Sequence, residues 1–235
     1  MTVLDRIALE PAAAAEALRE GAPETSRIWD ALVAGDLDAV RIERAAAAPA
    51  STVPSGPRCL LPGSFNPVHE GHRRMLATAA GRLGAGTGAA AGAAFELAIV
   101  NPDKPPLSPE DTAARLAGFA GDETVWLTRA PTFPEKARIF PGATFAVGVD
   151  TIARIAEPRY YGGREGLARA IALLGRCRFL VFGRRAGTAF ETLESAVLPE
   201  ALRALCDGIP EADFRADVSS TELRQKMAPL VGRSD

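Results

Sequence analysis

The sequence predicts an α/β fold in which helices cover both faces of a doubly wound parallel sheet. Beyond residue 57, several short runs are apolar throughout rather than alternating, as expected of strands that are buried on both faces. Stretches with helical periodicity separate these runs. The two patterns together indicate alternating strands and helices, with ligands expected at the carboxyl ends of the strands.

The first 56 residues are predicted to be an N-terminal helical extension that ends in a linker. Residues 1–44 are rich in alanine, with TSRIWDALVAG as a short helix and VRIER as a possible strand. Residues 45–57, AAAAPASTVPSGP, have the alanine, proline and serine content of a linker, so we place the domain boundary there. The extension is open to three interpretations: a remnant of a larger domain, an arm that covers a sheet edge, or a contact in a homo-oligomer.

Residues 57–235 then form the second domain. Its predicted strands are CLL, FELAIV, TVWLT, TFAVGV and CRFLVF. Its predicted helices are EGHRRMLATAAGRL, SPEDTAARLAGF, REGLARAIALLG and LPEALRALC. Trp126, inside the third of these strands, is predicted to belong to the core.

Composition excludes several classes of function. The chain has 27 basic and 29 acidic residues and no dense basic stripe, which argues against a nucleic-acid partner. Its three cysteines are widely spaced among apolar neighbours, as is typical of reduced thiols in a cytoplasmic protein. Charges interrupt the N-terminal alanines, and no run of about twenty apolar residues occurs, so we expect neither a secretory signal nor a membrane span.

The stretch LPGSFNPVHEGHRRML, residues 61–76, contains both histidines of the chain, His69 and His72. It lies where the first strand of the second domain turns into its first helix, and the N-terminus of a helix attracts phosphate. Gly63 would allow a tight turn, and Gly71 would let a phosphate approach the backbone closely. The two imidazoles add hydrogen-bond donors just above that site.

The segment GSFNPVHEGH resembles the GSFxPxHxGH signature of the HxGH nucleotidylyltransferase superfamily, in particular nicotinamide or nicotinate mononucleotide adenylyltransferases. VSSTELR, residues 218–224, is similar to the SSTxxR motif of the same enzymes. GVDT, residues 148–151, is similar to their central GxD element, and NPDKPPLS, residues 101–108, to their proline-lysine loop. The resemblance implies a Rossmann-like fold and transfer of an adenylyl group from ATP to a mononucleotide phosphate.

The resemblance also implies roles for individual residues. His72 would contact the α-phosphate in the transition state, supported by His69, and Arg224 would bind the triphosphate as a planar fork. Mg²⁺ is expected to be held mainly by phosphates and water. The other residues expected to bind the substrates are Gly63, Ser64, Phe65, Asn66, Gly71, Lys104, Gly148, Asp150, Ser219, Ser220 and Thr221.

Alternatives remain at this stage. The HEGH spacing is not that of HExxH zinc enzymes and no third ligand stands out, which disfavours zinc. Ser219 and Glu222 also form an ordinary capping box, and Lys104 also suits a solvated loop. The threonine-rich segment that bacterial nicotinate mononucleotide adenylyltransferases use around the pyridine ring is missing. Other phosphorylated acceptors, CTP as donor, and a nucleotide-binding module without catalysis therefore stay open.

Overall fold

The computed structural model describes residues 4–43, 57–84, 92–103, 105–186 and 189–215. Its strands are β1 (Leu4–Ile7), β2 (Ala39–Ile42), β3 (Cys59–Pro62), β4 (Ala93–Ala98), β5 (Val125–Thr128), β6 (Thr144–Gly148), β7 (Arg178–Phe182), β8 (Arg184–Ala186), β9 (Ala189–Glu191) and β10 (Cys206–Ile209). Its α-helices are α1 (Pro11–Arg19), α2 (Pro23–Ala34), α3 (Glu70–Arg82), α4 (Pro109–Leu116), α5 (Phe133–Ile139), α6 (Val149–Ile155), α7 (Arg164–Leu173) and α8 (Glu200–Arg203). A 3₁₀ helix covers Pro158–Tyr161.

The main sheet confirms the doubly wound prediction. Its strand order is β1-β2-β5-β4-β3-β6-β7-β10, and every pair from β5 to β10 is parallel. Counted from β3 along the chain, these six strands follow the order 3-2-1-4-5-6 of a Rossmann-like fold. From β3, in the middle of the sheet, the chain first adds β4 and β5 on one side and then crosses to add β6, β7 and β10 on the other.

Both faces of the sheet are buried. Adjacent strand residues point to opposite faces, and in these strands both are apolar, so each face needs helices to cover it. Leu60 and Leu61 of β3 are both buried, but they belong to two different apolar clusters. Phe95 of β4 packs in the same cluster as Leu61, and Trp126 of β5 packs in the same cluster as Leu60. The prediction that Trp126 is a core residue is confirmed by its exposure of 1%.

The N-terminal residues depart from the predicted helical extension. The first three residues of VRIER belong to strand β2 (Ala39–Ile42), as predicted, but the stretch Leu4–Ile7 is also a strand rather than a helix. β1 pairs in parallel with β2, and β2 pairs antiparallel with β5 through Val40 and Leu127. Propensity favours helix in this alanine-rich region, yet pairing along a sheet edge decides the conformation of these four residues. Residues 44–56, which include nearly all of the predicted linker, lie outside the described residues.

A second departure concerns LPEALRALC, which was predicted to be one helix. Only Glu200–Arg203 is helical, and Cys206 already begins strand β10, paired in parallel with β7. β10 is an edge strand, so it can carry an aspartate and a glycine. Its sequence CDGI therefore has no apolar run from which a strand could be predicted. In the described part of the chain, no helix combines the length and the apolar character needed to cross a bilayer.

Candidate active site

The candidate site lies where the order of the sheet reverses. β3 and β6 are neighbours, and their carboxyl ends lead into two different helices, α3 after a turn and α6 directly. The crossovers from these two strands run to opposite halves of the sheet, which leaves a crevice between them. The two motifs recognised in the sequence, GSFNPVHEGH and GVDT, are therefore brought together by the topology.

The turn after β3 is built around the ring of Phe65. Phe65 has a φ of 43°, in the left-handed region that residues other than glycine seldom adopt. A Cβ atom on Gly63 would lie 2.7 Å from two carbon atoms of the Phe65 ring, so only glycine fits there. Phe65 is buried, whereas Ser64 and Asn66 on either side of it are exposed. The turn thus presents backbone and small polar groups to solvent over an aromatic anchor.

The two histidines lie at the start of α3. His69 is the N-cap residue, and its backbone N–H donates to Nδ1 of His72 at 3.2 Å. The two rings are stacked, with centroids 3.7 Å apart and an angle of 25° between their planes. The His72 ring also forms a T-shaped contact with the ring of Phe65, with centroids 5.1 Å apart. Gly71 lies between them in the first turn of the helix, and its role in admitting a phosphate stays a prediction.

Burial and neighbouring charge keep both imidazoles neutral. Burial lowers the pKa of His72 to about 3, with additional effects of His69 and Arg73. Burial and Arg73 also lower the pKa of His69. Because Nδ1 of His72 accepts a hydrogen bond, the proton of the neutral ring lies on Nε2. His72 therefore offers an N–H donor, rather than a cation, in the free protein.

The GVDT motif begins α6. Gly148 is the N-cap residue, and a Cβ atom there would lie 2.6 Å from Oδ1 of Asp150. Asp150 is half exposed and accepts a hydrogen bond from Arg184 at 2.8 Å. Arg184 follows β7 and was not among the residues predicted from the sequence. The only sequence feature that pointed to Arg184 was its place shortly after a predicted strand, in GRRAG, residues 183–187.

A cavity of about 530 Å³ opens beside the turn, on the side of β4 and β5. Its polar wall includes the turn residues Gly63 and Ser64. Its other lining residues are mostly cationic, aromatic or apolar, and include Arg115, Arg154, Arg159, Tyr160, Tyr161, Phe133, Ile99, Val100, Leu107 and Ile155. This combination suits a phosphorylated molecule that also carries a flat ring.

A small polar network joins cavity-lining residues of the loop after β4, of α6 and of the 3₁₀ helix. Asp103, in the loop after β4, accepts hydrogen bonds from Arg154 of α6 and from the Tyr160 hydroxyl, the latter at 3.0 Å. Arg159 donates to the same hydroxyl at 2.9 Å and lies over the Tyr160 ring, 4.7 Å from its centroid. These two cavity-lining arginines are thus oriented by an acidic loop residue and by a tyrosine.

A buried ion pair forms part of the cavity wall. Nζ of Lys136 donates to both carboxylate oxygens of Glu96, at 2.7 and 2.9 Å, and to the carbonyl oxygen of Ala130 at 2.7 Å. Thr128 donates its hydroxyl to the same carboxylate. Sequence analysis missed this pair, although one signal existed. Glu96 interrupts the apolar run FELAIV, and a charge on a strand buried on both faces requires a partner.

The remaining predicted residues, Lys104, Ser219, Ser220, Thr221 and Arg224, lie outside the described residues. Their roles stay predictions. The zinc alternative receives no support from the described ranges, where no group of three or more His, Cys, Asp or Glu side chains is placed to hold a metal ion.

Comparison with known proteins agrees with this geometry. Residues 60–226 match the family model described as cytidylyltransferase-like, which spans every motif named above. The chain belongs to this family. It is a nucleotidyltransferase of Rossmann-like fold. The chain is also 30% identical over 187 residues to a probable nicotinate-nucleotide adenylyltransferase of Gloeobacter violaceus, covering 71% of this chain and 81% of that protein.

Proposed function

We propose that this nucleotidyltransferase transfers an adenylyl group from ATP to the phosphate of nicotinate or nicotinamide mononucleotide. The observation that carries the proposal is the turn of residues 63–66, which leads into the helix that begins with the two histidines and lines, through Gly63 and Ser64, a cavity with arginine and tyrosine side chains. A nucleotide at the helix N-terminus and an acceptor in the cavity would meet at the turn. The similarity to a nicotinate-nucleotide adenylyltransferase supports this choice of substrates.

In the proposed reaction, an oxygen of the acceptor phosphate attacks the α-phosphorus of ATP. The new P–O bond forms as the bond to the β-phosphate breaks, and pyrophosphate leaves. Such transfers need positioning and charge stabilisation rather than a protein nucleophile. The Nε2–H of His72 would donate to an α-phosphate oxygen, and the free N–H groups of the first turn of α3 would add to this.

The roles of the other residues follow the same arrangement. Gly148 and Asp150 would hold the ribose of ATP, and Lys104 a phosphate. Ser219, Ser220, Thr221 and Arg224 would bind the triphosphate. Mg²⁺ would enter with ATP as part of the substrate, since phosphate oxygens and water satisfy most of its preferred octahedral shell.

A panel of donors and acceptors tests the proposal. Pyrophosphate release is measured for ATP and CTP against nicotinate mononucleotide, nicotinamide mononucleotide, pantetheine phosphate and riboflavin phosphate, with Mg²⁺ present. We expect release with ATP and a pyridine mononucleotide. Release only with CTP, or only with another acceptor, would replace the proposed substrates. No release with any pair would refute the proposal.

A further inference from the structure

We infer that Arg115 of α4 is a positioning residue, which holds residues 63–66 in the conformation that brings a phosphate to His72. The inference rests on the proposed function, because it treats this turn as part of the phosphate site. It concerns a residue outside the recognised motifs, 51 positions from the turn residue that it contacts. Arg115 acts through the backbone of the turn rather than on the reacting atoms.

The turn needs external support. Phe65 adopts a positive φ, and Gly63 passes so close to its ring that no side chain would fit. Residues in such sparsely populated backbone regions persist only when the surrounding structure holds them. The Phe65 ring is held by edge contacts with Phe95 at 5.4 Å and Phe119 at 5.3 Å. These contacts fix the side chain, but the adjacent peptide at Ser64 is exposed to solvent.

Arg115 supports that exposed peptide. Its Nη1 atom donates to the carbonyl oxygen of Ser64 at 2.7 Å. A hydrogen bond from a guanidinium is stronger than one between neutral groups, and its planar geometry also fixes direction. The bond orients the Ser64 carbonyl toward α4. Because the peptide is planar, it thereby also sets the direction of the N–H of Phe65 on the other side of the same unit.

The helix that carries Arg115 is itself tied to α3. Arg73, next to His72, donates to the carbonyl oxygen of Gly118 at 3.0 Å, just after α4 ends. Arg73 also forms an ion pair with Glu123 at 2.9 Å. One scaffold, α4 and the residues that follow it, therefore contacts both the turn and the helix of the histidines. Arg115 sets the turn relative to His72 through this scaffold.

Arg115 also lines the cavity, so it could instead bind the acceptor directly. This alternative predicts a different kinetic result. If Arg115 only binds the acceptor, its substitution weakens acceptor binding and raises the acceptor KM. If Arg115 positions the turn, its substitution lowers kcat, since a displacement of about 1 Å in a reacting arrangement can cost about 10²-fold in rate. The two roles are distinguished by which kinetic constant changes.

The test compares Arg115→Met and Arg115→Lys with Arg169→Met, a matched control on the exposed face of α7. We expect Arg115→Met to lower kcat by about 10- to 100-fold with both KM values within about threefold. Arg115→Lys keeps a cationic donor and should recover part of the loss. The control should have the kcat and KM values of the wild type. A raised acceptor KM at unchanged kcat in Arg115→Met, or no recovery of kcat in Arg115→Lys, would overturn the inference.

Two further measurements separate positioning from simple loss of folding and from failure of the proposed function. In amide hydrogen exchange, Arg115→Met should speed exchange in residues 63–66 while α7 and β7 stay protected; unchanged exchange in the turn would overturn the inference even in an inactive protein. In a His72→Ala background, Arg115→Met should add less than about threefold, because both changes remove the same arrangement. If the double variant loses the product of the two single-variant losses in kcat, the inference is contradicted. Absence of pyrophosphate release by the wild type would instead refute the proposed function.

Discussion

His72 is the residue on which the proposed chemistry depends most directly. Its Nδ1 atom accepts a hydrogen bond from the backbone N–H of His69, and its ring packs against the rings of Phe65 and His69. A donor fixed in this way does not have to reorganise as charge develops on a phosphate, which is the condition for strong transition-state stabilisation. The pair of histidines is thus understood as one donor and one residue that aligns it.

The first prediction at this scale concerns turnover. His72→Ala should fold, bind ATP within a few-fold of the wild type, and lose about 10²- to 10³-fold in kcat, as for a deleted oxyanion-hole donor. His72→Asn retains an N–H donor and should recover part of this loss. Steady-state kinetics measures both. Unchanged kcat in His72→Ala, or stoichiometric zinc in the purified protein that disappears in the variant, would show that the histidines serve another purpose.

A second prediction concerns pH and stability. The pKa of His72 is about 3 in the folded protein and about 6.5 when exposed, so between these values only the unfolded chain binds the proton. The free energy of unfolding therefore falls as the pH drops below 6.5, by up to about 1.4 kcal/mol per pH unit from this group. His72→Asn cannot titrate, so its stability should fall less. Urea unfolding at pH 7.5 and 4.5 measures the difference; equal losses in both proteins would contradict a buried neutral imidazole.

Among the elements, α5 is joined to the sheet by the buried Glu96–Lys136 pair. Both side chains are 5% exposed or less, and all three Lys136 donors are used within the protein. The pair fixes one wall of the cavity relative to β4. Removal of one member leaves the other charge buried without its partner, which costs far more than the pair itself contributes.

The third prediction follows. Lys136→Met should lower the free energy of unfolding by about 3–5 kcal/mol, whereas the double change Glu96→Leu with Lys136→Met should recover most of the loss. Urea denaturation of both variants tests this. Arg169→Met, which removes an exposed ion pair with Glu165, is the control and should change stability by less than about 1 kcal/mol. A loss below about 1 kcal/mol in Lys136→Met would contradict the prediction.

Sequence patterns predicted those elements that are buried on both faces and missed those decided by pairing. β3, β5, β6 and β7 are nearly continuous apolar runs, and each was found where the run lies. Leu4–Ile7 and Cys206–Ile209 lie at the two edges of the sheet. There, pairing with one neighbouring strand, rather than the intrinsic propensity of the residues, determines the strand conformation. α6 was not predicted for a related reason, since its first residue, Val149, was included in the apolar run TFAVGV that predicts β6.

At the scale of the whole molecule, the site consists of segments that only the topology brings together. The turn after β3 and the start of α6 could be predicted to meet, because parallel strands share one carboxyl edge. The pairs Arg115 with Ser64 and Asp103 with Arg154 could not, because each joins residues 51 positions apart across loops whose course no local pattern specifies. Motifs therefore located the site, while the residues that shape it required the three-dimensional structure.

The last prediction tests whether the C-terminal motif completes this site. A ligand that binds only the folded chain at about 100 times its Kd stabilises it by about 2.7 kcal/mol, which for a chain of this length raises Tm by roughly 5–11 °C. We expect MgATP to do so. If Arg224 binds the triphosphate, Arg224→Ala should weaken ATP by on the order of 1.5–3 kcal/mol and lose at least half of the shift at the same concentration, with an unchanged Tm in the absence of ATP. A lower Tm without ATP, combined with a full ATP shift, would mean that Arg224 stabilises the fold and does not contact the nucleotide.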